Sequence, residues 1–199
     1  PDQPVGFPGG STALAVWALL ESGVPADDAR IEKAMTQLKQ LRTDKTYTLS
    51  VRANAYQAAH RADDEAGRER IRADVTRLVR GSGTGGYTYT LDAPVGDRSD
   101  KSNSHYAAMG VQAGEKVGLQ IPRRYWQMVM RYWIDAQNPD GGWPYSLQGT
   151  PSSATMTAAG IATLALAEDR LESDAAEAAV GRGLAWLDKH FAASLEDPS

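Results

Sequence analysis

Apolar and polar positions along this chain fall into blocks that read as helix pairs. Four runs are Ala-rich and apolar on most faces: Ala13 to Leu20, Val51 to Ala59, Asn103 to Val117, and Thr155 to Ala167. Helices of that kind belong in an interior. After each comes a run with a one-sided apolar stripe at i, i+3, i+4 spacing. The stripes are Ile31, Ala34, Met35, Leu38 and Leu41; Ile71, Val75, Leu78 and Val79; Trp126, Val129, Met130, Trp133 and Gln137; and Val180, Leu184, Leu187 and Phe191. The pattern predicts eight helices in four antiparallel pairs, with an inner apolar layer and an outer amphipathic one.

The pairs also repeat. Gln137-Asn138-Pro139-Asp140-Gly141-Gly142-Trp143-Pro144-Tyr145 and Gly85-Gly86-Tyr87-Thr88-Tyr89 are two copies of a glycine-aromatic turn, and Thr46-Tyr47-Thr48 is a worn third. The inner runs start near Ser11, Ser50, Ser104 and Ser153, in steps of about 39, 54 and 49 residues. A period in this range means stacked units, none of which buries its apolar face alone. One repeat domain over 1–199 is expected, with units at about 11–48, 49–102, 103–152 and 153–191. Ser11 or Thr12, Asp28, Asp64, Asn103, and Ser153 or Thr155 read as helix caps, Pro122 as a helix start, and Gly23 as a stop. Inner-to-outer turns are short. The outer-to-inner connections, Arg42 to Thr48, Gly81 to Ser102 and Asn138 to Ser152, are mostly longer and share one end with the inner-helix N-termini. Any site is expected at that mildly electropositive end.

Charge narrows the partners. Among 199 residues the net charge is -4, and the 21 basic residues are scattered. The basic stretch Arg68 to Arg80 alternates with Glu69 and Asp74, as a solvated helix face does, so nucleic acid is not an expected partner. With no cysteine, disulfides, thiolate nucleophiles and Cys-ligated zinc are excluded. No apolar run approaches the roughly 20 residues of a membrane span. The chain opens at Pro1 and reaches its first helix without a recognisable leader. It reads as a trimmed piece of a longer protein, with no compartment assigned.

Candidate chemistry gathers at the long-connection end. Asp97-Arg98-Ser99-Asp100-Lys101-Ser102-Asn103 is its densest polar cluster. One reading is a solvated loop capped by Asn103. The other has Asp97, Asp100, Lys101, Asn103 and His105 contacting a polar ligand, with Ser152, Ser153, Thr155 and Thr157 facing the same opening. His60 and His190 sit near helix ends, where a cation meets the C-terminal dipole. His105 stands at a helix start, as a cap or as an acting group. In the longer turn, Gln137 reaches a neighbouring helix N-terminus. Asp140, Gly141 and Gly142 make the reversal, and Trp143 covers the seam between pairs. The alternative for Trp143 and Tyr145 is stacking on a substrate. Gly81 to Gly86 lacks the Gly-Lys-Ser/Thr ending of a phosphate loop.

The run Met130-Arg131-Tyr132-Trp133-Ile134-Asp135-Ala136-Gln137, followed by Gly141 and Trp143, resembles the glutamine-tryptophan repeat of squalene and hopene cyclases. Ser102-Asn103-Ser104-His105-Tyr106-Ala107-Ala108-Met109-Gly110 and Ser153-Ala154-Thr155-Met156-Thr157-Ala158-Ala159-Gly160 are similar to the same terpenoid-cyclase and prenyltransferase superfamily. The resemblance implies an all-α fold of the α/α-toroid type, here an arc or incomplete toroid of four pairs. The open inner edges then call for flanking repeats, a homo-oligomer, or cover by Asp2 to Gly9 and the C-terminal residues.

The Asp-x-Asp-Asp acid, the Asp-Asp-x-x-Asp cluster and the Cys-containing zinc site of enzymatic members are absent from the sequence. Asp27-Asp28 and Asp63-Asp64 read as caps, so no metal and no cofactor is expected. Three functions stay open. The first, favoured by the missing motifs, is a non-catalytic binding or scaffold domain. The second is a domain holding an isoprenoid or other apolar ligand among Trp17, Tyr47, Tyr56 and Tyr106. The third is a carbohydrate-active enzyme, a polysaccharide lyase or glycosidase, using Asp97, Asp100, Lys101, His105 and Tyr145.

Overall fold

The computed structural model describes residues 8–60, 64–91, 99–146 and 150–191. Among them the chain forms eight α-helices: α1 (Gly10–Glu21), α2 (Ala29–Gln40), α3 (Thr46–Ala59), α4 (Glu65–Gly81), α5 (Lys101–Lys116), α6 (Arg123–Asp135), α7 (Ala154–Glu168) and α8 (Asp174–Phe191). The fold is all-α, and β-pairing among the described residues is limited to isolated bridges. No described helix is long and apolar enough to cross a membrane. The helices divide into two compact units. One is Pro1–Gly81 with Tyr89–Ala93 and Tyr106–Ile121; the other is Ser82–Thr88 with Pro94–His105 and Pro122–Ser199.

In the first unit α3 is the enclosed helix. Thr46 and every residue from Thr48 to Tyr56 are buried. A Cβ added at Gly110 of α5 would lie 2.8 Å from the Ser50 Cα, so a glycine is what lets the two backbones approach. Arg52 then ties three helices together. Its Nε and Nη2 donate to the two carboxylate oxygens of Asp74 on α4, at 2.8 and 2.7 Å. Its Nη1 donates to the Leu38 and Leu41 carbonyls, satisfying the C-terminal end of α2.

Helix α1 departs from the expectation in two ways. Its N-cap is Gly9, left-handed at φ 75°, and neither Ser11 nor Thr12 caps it. The Leu41 side chain sits where a Gly9 Cβ would go, so the chain enters the helix through a bare backbone turn. The helix is also not enclosed all round. Gly10, Ala13 and Val16 are buried, whereas Leu14 and Leu19 are 37% and 44% exposed. Its other end behaves as read: Gly23 takes φ 89° and donates to the Leu20 carbonyl.

In the second unit Trp143 is the centre of packing. It is fully buried, and its Nε1 donates to the Trp133 carbonyl of α6 at 2.8 Å. A Cβ on Gly160 of α7 or Gly183 of α8 would come within 2.6 or 2.7 Å of its ring. The expected α8 stripe is therefore rotated. The buried face holds Ala176, Ala179, Gly183 and Trp186, and Leu184 is 53% exposed. Small residues face inward because the indole takes the volume that Leu184 would have filled.

The internal repeat is visible in the hydrogen bonds. In the second unit the Tyr87 carbonyl accepts from the Asp100 N–H, and the Trp143 carbonyl accepts from the Ser153 N–H. The Tyr87 and Trp143 N–H groups donate to the hydroxyls of Ser104 and Thr157, each one turn into the helix that follows. The second aromatic of each turn, Tyr89 or Tyr145, accepts from the start of the preceding inner helix. Tyr89 takes the Thr46 N–H in the first unit, and Tyr145 takes the Lys101 N–H in the second.

Candidate functional site

The start of α5 holds most of the residues singled out by sequence. Asp100, not Asn103, is the cap. Its Oδ1 accepts from the Asn103 N–H at 2.8 Å and its Oδ2 from the Asn103 side-chain amide at 2.9 Å. A carboxylate serves this position better because it accepts at two atoms and meets the positive end of the helix dipole. Asn103 is buried, and its Oδ1 has no hydrogen-bond partner among the described residues. Lys101 is buried too. Its ammonium donates to the Ser146 carbonyl and lies 5.3 Å from the centre of the Tyr132 ring. Burial lowers its pKa, against the pull of Asp100. Around this cluster the Tyr87 and Tyr125 hydroxyls meet at 3.3 Å, and Tyr132 bonds Ser99 at 3.1 Å.

His105 points to α7, where its Nδ1 meets the Thr163 hydroxyl at 2.8 Å. That hydroxyl donates its only proton to the Ala159 carbonyl at 2.7 Å. Nδ1 must therefore be the donor, which fixes the tautomer. Burial pushes the His105 pKa down to about 4, so the ring is neutral at physiological pH.

The remaining predicted residues are partly gathered here. Tyr145 is 46% exposed and adjoins the cluster through its carbonyl bond to Lys101. Trp143 is fully buried in the second unit. Ser153 caps α7 by accepting from the Met156 N–H, and its hydroxyl lies 3.4 Å from that of Thr155. Tyr106 stands edge-on to Tyr47 with ring centres 4.7 Å apart in the first unit. Trp17 donates to Glu21 instead. Asp97 and Asp63 lie outside the described residues.

The turn motif is spent on structure. Asp140 accepts from the Gly142 N–H at 2.9 Å, the Ser152 hydroxyl at 2.8 Å and the Trp186 indole at 3.1 Å. Desolvation works to raise its pKa, and those donors outweigh it, so the carboxyl sits below its usual range. Gly141 takes φ 93°. Gln137 donates to the Gly141 and Ala179 carbonyls, both at 2.8 Å, and accepts from Arg182. Its amide thus meets the middle of α8 rather than a helix N-terminus, because Trp143 draws Gly183 and its helix across the turn.

At the short-turn end of the first unit lies an open groove of about 700 Å³. It is lined by Asp27, Glu32, Met35, Lys39, Tyr56, Asp64 and Arg70 among others. Asp28 caps α2, and the paired Arg30 side chain holds its carboxyl down at about 2. Asp64 caps α4 through the Gly67 N–H at 2.8 Å. Among the described residues no three His, Asp or Glu side chains are placed to share a metal ion. Arg52 and Asp74 were hidden in the sequence inside an apolar run and a basic stretch. Their only signal was an arginine amid alanines. No family model matches the chain, and no curated protein matches it.

Proposed function

We propose that the chain is a non-catalytic binding or scaffold module of the squalene-cyclase and prenyltransferase-like kind, an arc of α/α repeats that extends by stacking further helix pairs. The observation that carries this reading is the repeated carbonyl staple. Thr46 and Lys101, at the starts of α3 and α5, each donate their N–H to the carbonyl of the second aromatic of the following turn. Ala154 of α7 is the equivalent of Lys101, and no such carbonyl reaches its N–H among the described residues. Beyond it α7 exposes Thr155, Ala158, Ala162 and Ala165 in one stripe. Exposed apolar stripes of this kind suit another helix. The side chains at the starts of α5 and α7 support the same reading, since Asp100, Asn103 and Ser153 act in caps.

Native mass spectrometry of the purified chain, read against its denatured mass, tests this. Whole multiples of the chain mass are expected, reduced to single chains by Ala162→Glu with helix content unchanged. A bare monomer at every concentration sinks the stacking. Extra non-covalent mass on the monomer would instead favour a ligand-holding domain.

A further inference from the structure

The groove of the first unit has sorted charges. Arg52 bonds Leu38 and Leu41 on α2 and Asp74 on α4, which aligns those residues at one level. One turn back toward the starts of α2 and α4 stand Met35 and Arg70, and one turn on toward the end of α3 stands Tyr56. Beyond them stand Glu32, Ala59 and Asp64, with Asp27 in the turn before α2. Helices α2 and α4 therefore run in the same direction on either side of α3. Carboxylates cluster at one end of the groove, and Arg70 and Lys39 lie toward the other.

At 1.5 Å per residue, Glu32 to Lys39 spans about 10 Å and Asp64 to Arg70 about 9 Å. Among the described residues Asp27, Glu32, Lys39 and Arg70 form no ion pair. Tyr56 is only 5% exposed, yet it lines the groove, and no hydrogen bond occupies its hydroxyl among the described residues. Burial pushes its pKa up to about 12, so it is a standing neutral donor.

We propose that this groove binds a short extended peptide by both free ends, its ammonium among Asp27, Glu32 and Asp64 and its carboxylate against Arg70, Lys39 and the Tyr56 hydroxyl. Three extended residues span about 10 Å, which matches the separation of the charges. Met35, Ala59 and the Tyr56 ring supply an apolar wall for the side chains between them. A polyanion would meet the carboxylates, and a polyamine would meet Arg70 and Lys39, so only a dipolar ligand satisfies both ends.

Calorimetric titration of the full chain with trialanine tests the site, beside N-acetylated trialanine, trialanine amide and dialanine. Saturable binding of trialanine is expected, weakened about five- to tenfold by blocking either end or by shortening. Glu32→Gln should reduce the penalty of acetylation, and Arg70→Gln the penalty of amidation, because each variant removes one of the matching partners. Both side chains are at the surface, and circular dichroism checks that the variants stay folded. Equal binding of the free and blocked peptides overturns the proposal, as does the absence of saturable binding at millimolar trialanine.

Discussion

The two units are fastened by opposite chemistries. In the first, a buried guanidinium meets a buried carboxylate, and Arg52 and Asp74 have only 8% and 5% of their side chains exposed. In the second, an aromatic ring sits at the centre. Trp143 fills the space between α6, α7 and α8, with glycines cut to receive it and neutral donors closing the turn. A buried ion pair depends on both partners being present, because either one left alone is a desolvated charge. An aromatic clamp depends on shape, and it fails when a neighbour grows. The first unit should therefore be sensitive to charge deletion and the second to added volume.

The largest expected effect is on the first side of this comparison. Arg52→Met leaves Asp74 buried and α2 without its C-terminal donors, and should cost about 3–5 kcal/mol in urea unfolding. Arg52→Met combined with Asp74→Leu should recover much of that loss, since an apolar pair carries no unpaired charge. If the double variant is as unstable as the single one, the pairing is not what Arg52 contributes.

The second unit answers to pH through His105. Its folded pKa of about 4 lies below the 6.5 of a free imidazole. Between those values the unfolded chain binds a proton that the folded chain refuses, so stability falls as pH drops. The full loss is about 3 kcal/mol by pH 4, on the order of 1.4 kcal/mol for each pH unit of separation. His105→Gln should flatten the stability curve between pH 6.5 and 4. Parallel curves for the two proteins would remove His105 as the cause.

Much of the fold could be read from periodicity, and the reasons are visible in the exceptions. The eight helices and the repeated aromatic turn follow from local spacing, which the folded chain keeps. The α6 stripe of Trp126, Val129, Met130 and Trp133 is buried as read. The α8 stripe was misplaced because periodicity ranks leucine above glycine, and only the approach of Trp143 from 40 residues away reverses that order. Arg52 with Asp74, and His105 with Thr163, were invisible for a related reason. Their partners are 22 and 58 residues distant, and a pair of that kind leaves no mark on local spacing. The cap at α5 was missed by three residues because Asp and Asn are both good caps, and which one lies outside the helix depends on the Tyr87 carbonyl holding the Asp100 N–H.

Added volume is the next test of the second unit. Gly160→Ala places a methyl 2.6 Å from the Trp143 ring, well inside contact distance, and should destabilise by about 1–3 kcal/mol. Gly181 on α8 is the control. Nothing lies within 4 Å of its missing Cβ, so Gly181→Ala should be neutral or stabilise by up to about 1 kcal/mol through helix propensity alone. Equal responses at the two glycines would mean that the indole is not held by the small residues around it.

The smallest effect separates the charged residue of the second unit from that of the first. Asp140 is exposed and accepts from three neutral donors, whereas Asp74 is buried against a cation. Because the folded pKa of Asp140 lies below the ordinary 3.8, its contribution is present above that value and disappears as pH falls through the folded one. Solvent screening keeps it small. Asp140→Ala should cost about 1 kcal/mol at pH 7. The cost should shrink in strong acid, where the wild-type carboxyl is itself protonated. Asp140→Asn keeps an acceptor for the Gly142 N–H and should fall between the two. If Asp140→Ala costs as much as Arg52→Met, the turn is held by charge after all, and the contrast between the units fails.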